Sequence, residues 1–75
     1  MVTETFEKSL RAFTERTRFE PFILELVSGA RLLVTEPDRM IYRYGQGVFF
    51  APDGRLILFD HESVSRIEAT PPAEA

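Results

Sequence analysis

Two short stretches of this 75-residue chain hold the residue types that could do chemistry. The first is Asp60-His61-Glu62-Ser63, which contains the one His of the chain. It holds the members of a hydrolase triad, but as sequence neighbours, whose side chains diverge instead of converging on one bond. A metal centre needs several convergent ligands, usually spaced His or Cys, and there is no Cys. The stretch therefore reads as a polar turn closing a strand. No catalytic residue, metal or cofactor is expected, and the chain is not expected to be an enzyme. Gly45-Gln46-Gly47 lacks the later Gly, the Lys-Ser/Thr pair and the following helix of a nucleotide loop, and reads as a flexible break.

The second stretch is richer. Arg39, Tyr42, Arg43 and Tyr44 crowd into one inter-strand connection, with Gln46 just beyond. Tyr rings and guanidinium planes stack on unpaired bases, and Arg also meets phosphate. The plainer reading packs Tyr42 inward and leaves Tyr44 and the Arg side chains on the surface.

Charge and composition bound what these residues can serve. Net charge is −3, so a generally basic coat for nucleic acid is excluded, though a local patch is not. Eight of the nine cations are Arg, which favours contact surfaces over plain solubility. The composition, 44% hydrophobic and 28% charged, is that of a globular domain. Absence of Cys removes disulfides and favours the cytoplasm. The start, Met1-Val2-Thr3-Glu4, has no signal-peptide pattern. Apolar runs of about four residues fall far short of a membrane span.

Positioning elements follow from the apolar period. Phe6, Leu10 and Phe13 form one helical stripe, predicting a helix over residues 3–17 capped by Thr3 and packed on the domain's own sheet. Pro21 ends the helical region. Five antiparallel strands are predicted: 22–27, 30–35, 48–51, 55–59 and 64–68. Their turns are a two-residue Ser28-Gly29 hairpin, Glu36-Pro37-Asp38-Arg39, Gly45-Gln46-Gly47, Pro52-Asp53-Gly54 and 60–63. Residues 40–44 read either as a short strand continuing the second or as an ordered loop. Helix and strands make a mainly β domain, a five-stranded antiparallel small barrel over residues 1–69, with 70–75 a flexible Pro-containing tail.

The strands carry more apolar surface than one core uses. Leu56 and Leu58 face one way, Ile57 and Phe59 the other. Covering that surplus with further copies of the chain is the economical answer. The expected subunit contact involves Ile57, Phe59, Val64 and Ile67 on the last two strands.

A helix followed by a strand ending Leu26-Val27-Ser28-Gly29 resembles the opening of bacterial Sm-like proteins of the Hfq type. Gln46-Gly47-Val48, the apolar strand after it, and Phe59-Asp60-His61 through Val64-Ser65 are similar to their second motif. The resemblance spans Phe6 to Ile67 and implies an Sm-like or SH3-like barrel, homo-oligomeric rings and single-stranded RNA as ligand. Tyr42, Arg43, Tyr44, Gln46 and His61 would then contact RNA. Asp60 stands where that family has a basic residue, and Gly47 where it has a stacking aromatic. Phe19-Glu20-Pro21-Phe22 also resembles a group of short bacterial proteins with a Phe-x-Pro-Phe start, which carries no known activity. The alternative function, favoured by the acidic composition and those two departures, is a protein-interaction or assembly domain with no nucleic-acid role. No membrane or small-molecule partner is expected.

Overall fold

The computed structural model describes residues 1–70. The helix α1 runs from Thr3 to Thr14, with Phe6 and Leu10 of its stripe fully buried. Two details differ from expectation. The residue preceding the helix is Val2, and no side chain caps the first turn. The helix also ends three residues early. Thr14 Oγ1 donates back to the Leu10 carbonyl at 2.8 Å, a bond that competes with continuing the helix. Residues beyond it are used to turn the chain: the Arg16 guanidinium lies 4.8 Å over the Phe13 ring and reaches Glu20 at 3.3 Å.

Two three-stranded antiparallel sheets follow. Sheet A places β1 (Phe22–Leu26) between β2 (Arg31–Val34) and β6 (Val64–Ala69). Sheet B runs β3 (Met40–Arg43), β4 (Gln46–Phe50), β5 (Leu56–Asp60) in that order. The fold is therefore mainly β with one helix, as expected, but it has six strands instead of five and no barrel closure. Residues 40–43 are the added strand. They open the second sheet and do not extend β2. Corners at Pro37–Arg39 and His61–Ser63, each one turn of 3₁₀ helix, interrupt the chain between the sheets. Such a turn satisfies its backbone locally, and Pro37 has no N–H to offer a ladder, so β2–β3 and β5–β6 stay separate.

The turns also refine the prediction. Leu26 N–H donates to the Ala30 carbonyl and Gly29 N–H to the Leu26 carbonyl, with Gly29 at φ +96°. That is a three-residue connection with a left-handed Gly, not a two-residue hairpin. Gln46 and Gly47, expected in a flexible break, are strand residues, paired with Arg43 and Tyr42.

Inward faces of both sheets and the helix stripe share one core. Phe6 packs edge-on against Phe59 of sheet B at 6.1 Å between centroids, while Phe13 stacks on Phe22 of sheet A at 4.9 Å. Burying Phe6 and Leu10 is worth roughly 3–6 kcal/mol, a large share of the 5–15 kcal/mol by which a typical domain is stable. Thr70 Oγ1 donates to the Pro21 carbonyl at 3.1 Å, so the first residue of the expected tail is tied to the sheet. The remainder of that tail, 71–75, lies outside the described residues.

Gly47 faces inward opposite Phe59. A Cβ on Gly47 would overlap the Phe59 ring, which lies across the glycine. Gly47→Ala is accordingly expected to destabilise by about 1–3 kcal/mol. Urea unfolding should show a lower midpoint at unchanged slope. An unchanged midpoint would mean that the ring swings away freely.

Candidate interaction face

In antiparallel sheets, residues in register share a face. On the outer side of sheet B this rule builds three rows. Ile41, Val48 and Leu58 are in register across β3, β4 and β5. Phe50 and Leu56 form a second row beyond them, and Arg43, Gln46 and Asp60 form the third on the opposite side. Ile41 is 58% exposed, Leu56 62% and Leu58 75%, and Val48 and Phe50 are half-buried. An apolar panel five residues strong, bounded at one end by a charged row, therefore faces outward. A shallow open groove of about 610 Å³ crosses it, lined by Ile41, Val48 and Leu58 between Arg43 and Asp60.

The outer side of sheet A is built differently. Arg31 meets Glu25 at 2.6 Å and Glu68 at 2.8 Å, and Arg66 meets the same two carboxylates at 3.2 and 3.1 Å. Four side chains from three strands close a neutral ring. The hydrogen bond from Arg31 holds the Glu68 carboxyl below its ordinary range and raises Arg31 in turn. The Glu68 contribution is thus present above the usual carboxylate range and fades as pH falls through its lowered value. All four groups are solvated, so the ring adds little stability. Its effect is to solvate much of the outer face of sheet A, where Ile23 and the 50% exposed Leu33 lie beside the charges.

The five residues expected at an RNA site divide between the two sides of sheet B. Arg43 and Gln46 are exposed and adjacent on the outer face. Tyr42 points the other way, with its hydroxyl 3.4 Å from Thr14 Oγ1 of the helix. His61 also turns to the helix side. Its ring sits edge-on to Phe6, and its Nδ1 is 2.7 Å from the Met1 carbonyl. A carbonyl only accepts, so Nδ1 carries the proton. The His61 N–H donates to the Gly45 carbonyl at 2.7 Å, pinning the β3–β4 turn to the end of β5. Tyr42 and Tyr44 do line one groove with Glu7, Arg11, Glu15 and Arg43, where two carboxylates offset two guanidinium groups.

Of the residues expected at a subunit contact, Phe59 and Val64 are corrected. They are 7% and 1% exposed because the chain's own core occupies them. Ile57 and Ile67 are half-buried and pack against that core. The residues that sequence reasoning missed are Ile41, Val48 and Asp60. Leu56 and Leu58 were visible as a pair on one face, but the neighbours completing the panel depended on recognising residues 40–43 as a strand.

Tyr44 occupies a singular position. Tyr44 and Gly45 form the two-residue tip of the β3–β4 hairpin at φ +54° and +78°, as in a type I′ turn. Gly adopts that conformation freely, whereas a bulky side chain is strained by it. Tyr44 is also 84% exposed, so its ring adds nothing to the core. Among the described residues no cluster of His, Cys, Asp or Glu is arranged to hold a metal ion, and no helix is long and apolar enough to cross a membrane.

Comparison with protein-family models, with curated proteins and with solved structures finds no match for this chain. The functional reading therefore rests on the geometry above.

Replacing Tyr44 by Asn, which tolerates the left-handed region, should relieve about 1 kcal/mol of strain. For a domain of this size that is a melting temperature higher by about 4–8 °C. A lower melting temperature for Tyr44→Asn in a thermal scan would show that the exposed ring supports the fold after all.

Proposed function

We propose that this chain is a non-enzymatic self-assembling interaction module, and that its working surface is the outer face of sheet B. The observation that carries this is the contrast between the two outer faces. Sheet A sets a ring of four charges beside Ile23 and the half-exposed Leu33, while sheet B exposes Ile41, Leu56 and Leu58 beside Val48 and Phe50. A contiguous apolar panel rimmed by polar residues marks an interaction surface. The occupant is a second copy of this chain, because the rim carries one charge of each sign at opposite edges, Arg43 on β3 and Asp60 on β5. A self-complementary rim fits its own duplicate.

Size sets the strength. Three strands and five residues give a face of about 14 Å by 17 Å. This is well below the ~800 Å² per partner of a standard stable interface. The association proposed is accordingly weak and concentration-dependent.

Light scattering over a micromolar dilution series tests this. The wild type should rise above the 8.6 kDa monomer mass as concentration increases. Leu58→Lys should abolish the rise, and Leu33→Lys, on the outer face of sheet A, should leave it intact. A wild type that stays monomeric throughout, or equal effects of the two substitutions, would remove the proposal.

A second reading is single-stranded RNA binding at the hairpin tip. Its support is the strained, exposed Tyr44 beside Arg43, since strain retained at an exposed aromatic residue points to a role outside the fold. One stacked base is worth about 1–3 kcal/mol on alanine substitution. Titration of U-rich and A-rich oligonucleotides at low salt should then show binding that Tyr44→Ala weakens. No binding at low salt would dispose of this reading.

A further inference from the structure

We infer that two copies associate through their sheet B outer faces about a two-fold axis parallel to β4, so that Arg43 of each chain pairs with Asp60 of the other. This rests on the self-assembly reading and specifies its geometry.

Two identical faces that meet reciprocally are related by an axis lying in the plane between them, and for aligned sheets that axis runs along the strands or across them. An axis across the strands reverses each strand, setting the row Arg43–Gln46–Asp60 against Phe50 and Leu56 of the second copy. Charged and amide groups would then be desolvated against apolar side chains, which is costly. An axis along β4 keeps each row at its own level and exchanges the outer strands. Ile41 then meets Leu58 of the second copy, Val48 meets Val48, and Gln46 meets Gln46. Arg43 on one edge meets Asp60 on the opposite edge, twice per dimer. Sheets packed in this aligned manner, about 10 Å apart, form a common sandwich geometry.

The charged pair is available for that role. Arg43 and Asp60 stand on the opposite edge strands of sheet B and form no ion pair with each other among the described residues. Among the described residues Arg43 makes no ion pair. Asp60 uses Oδ1 to accept from the Ser63 N–H at 3.0 Å, which leaves Oδ2 free. The same symmetry closes the assembly at two chains, because a face used reciprocally leaves no copy of itself for a third.

The test is a charge exchange followed by sedimentation velocity. Arg43→Asp alone places like charges together twice per dimer, and Asp60→Lys alone does the same with the opposite sign. Each should weaken self-association by about tenfold or more. Mixed in equal amounts, the two variants should recover association as a mixed dimer. There the introduced carboxylate faces the introduced ammonium, and the unaltered Arg43 of one chain faces the unaltered Asp60 of the other, so both contacts are attractive. Asp60 also caps the 3₁₀ turn, so Asp60→Asn, which keeps the cap and removes the charge, should weaken association with an unchanged melting temperature. If the wild type associates and Leu58→Lys disrupts it while the charge variants behave as wild type, the axis is wrong and the self-assembly reading stands. Wild-type assemblies larger than two chains would also overturn the two-fold. A wild type monomeric at every concentration overturns both.

Discussion

The structure depends on a single packing constraint: one helical stripe must close a core that two separate sheets leave open. Phe6 reaches sheet B at Phe59 and Phe13 reaches sheet A at Phe22, with Leu10 buried between them. Without that bridge each three-stranded sheet would present a bare apolar face to water, and a chain of this length has little else to cover it. Phe19 adds a second aromatic contact to sheet A, edge-on to Phe22 at 6.1 Å.

Because the helix is used on the inner faces, nothing in the described chain remains for the outer ones. The two sheets answer that differently. Sheet A turns Glu25, Arg31, Arg66 and Glu68 outward beside Ile23 and Leu33, and the four charges meet across three strands. Sheet B alternates Ile41, Val48, Phe50, Leu56 and Leu58 outward instead. Apolar residues on one side of a small sheet are normal, and in sheet B they occupy both sides. A row of Arg43, Gln46 and Asp60 bounds the panel at one end.

The region around His61 shows how a motif changes meaning in three dimensions. Asp60, His61 and Ser63 hold the residue types of a catalytic site, yet each is engaged in making a corner. Asp60 accepts from the Ser63 N–H, Ser63 Oγ donates to the Asp60 carbonyl, and His61 holds the Met1 carbonyl on one side and the Gly45 carbonyl on the other. These bonds anchor the β3–β4 turn, whose tip exposes Tyr44. Gly47 is likewise explained by packing, since the Phe59 ring covers it and leaves no room for an aromatic side chain there.

Local pattern alone determined the helix, five of the six strands, the facing of Leu56 against Ile57, and the polar nature of the 60–63 corner. These are properties of period and turn chemistry, which act over a few residues. The sixth strand was left open between a short strand and a loop because Met40-Ile41-Tyr42-Arg43 is too short to show its alternation, and its neighbour Gly47 reads as a break until Phe59 is seen to cover it. Barrel closure was expected because five short antiparallel strands on a small chain fit a small barrel, whereas six strands with two 3₁₀ corners form two separate sheets. Which apolar residues were core and which were surface was likewise a tertiary decision. Phe59 and Val64 went inside because the helix arrived at their face, and Ile41, Val48 and Leu58 were left outside because it could cover only one side of the sheet.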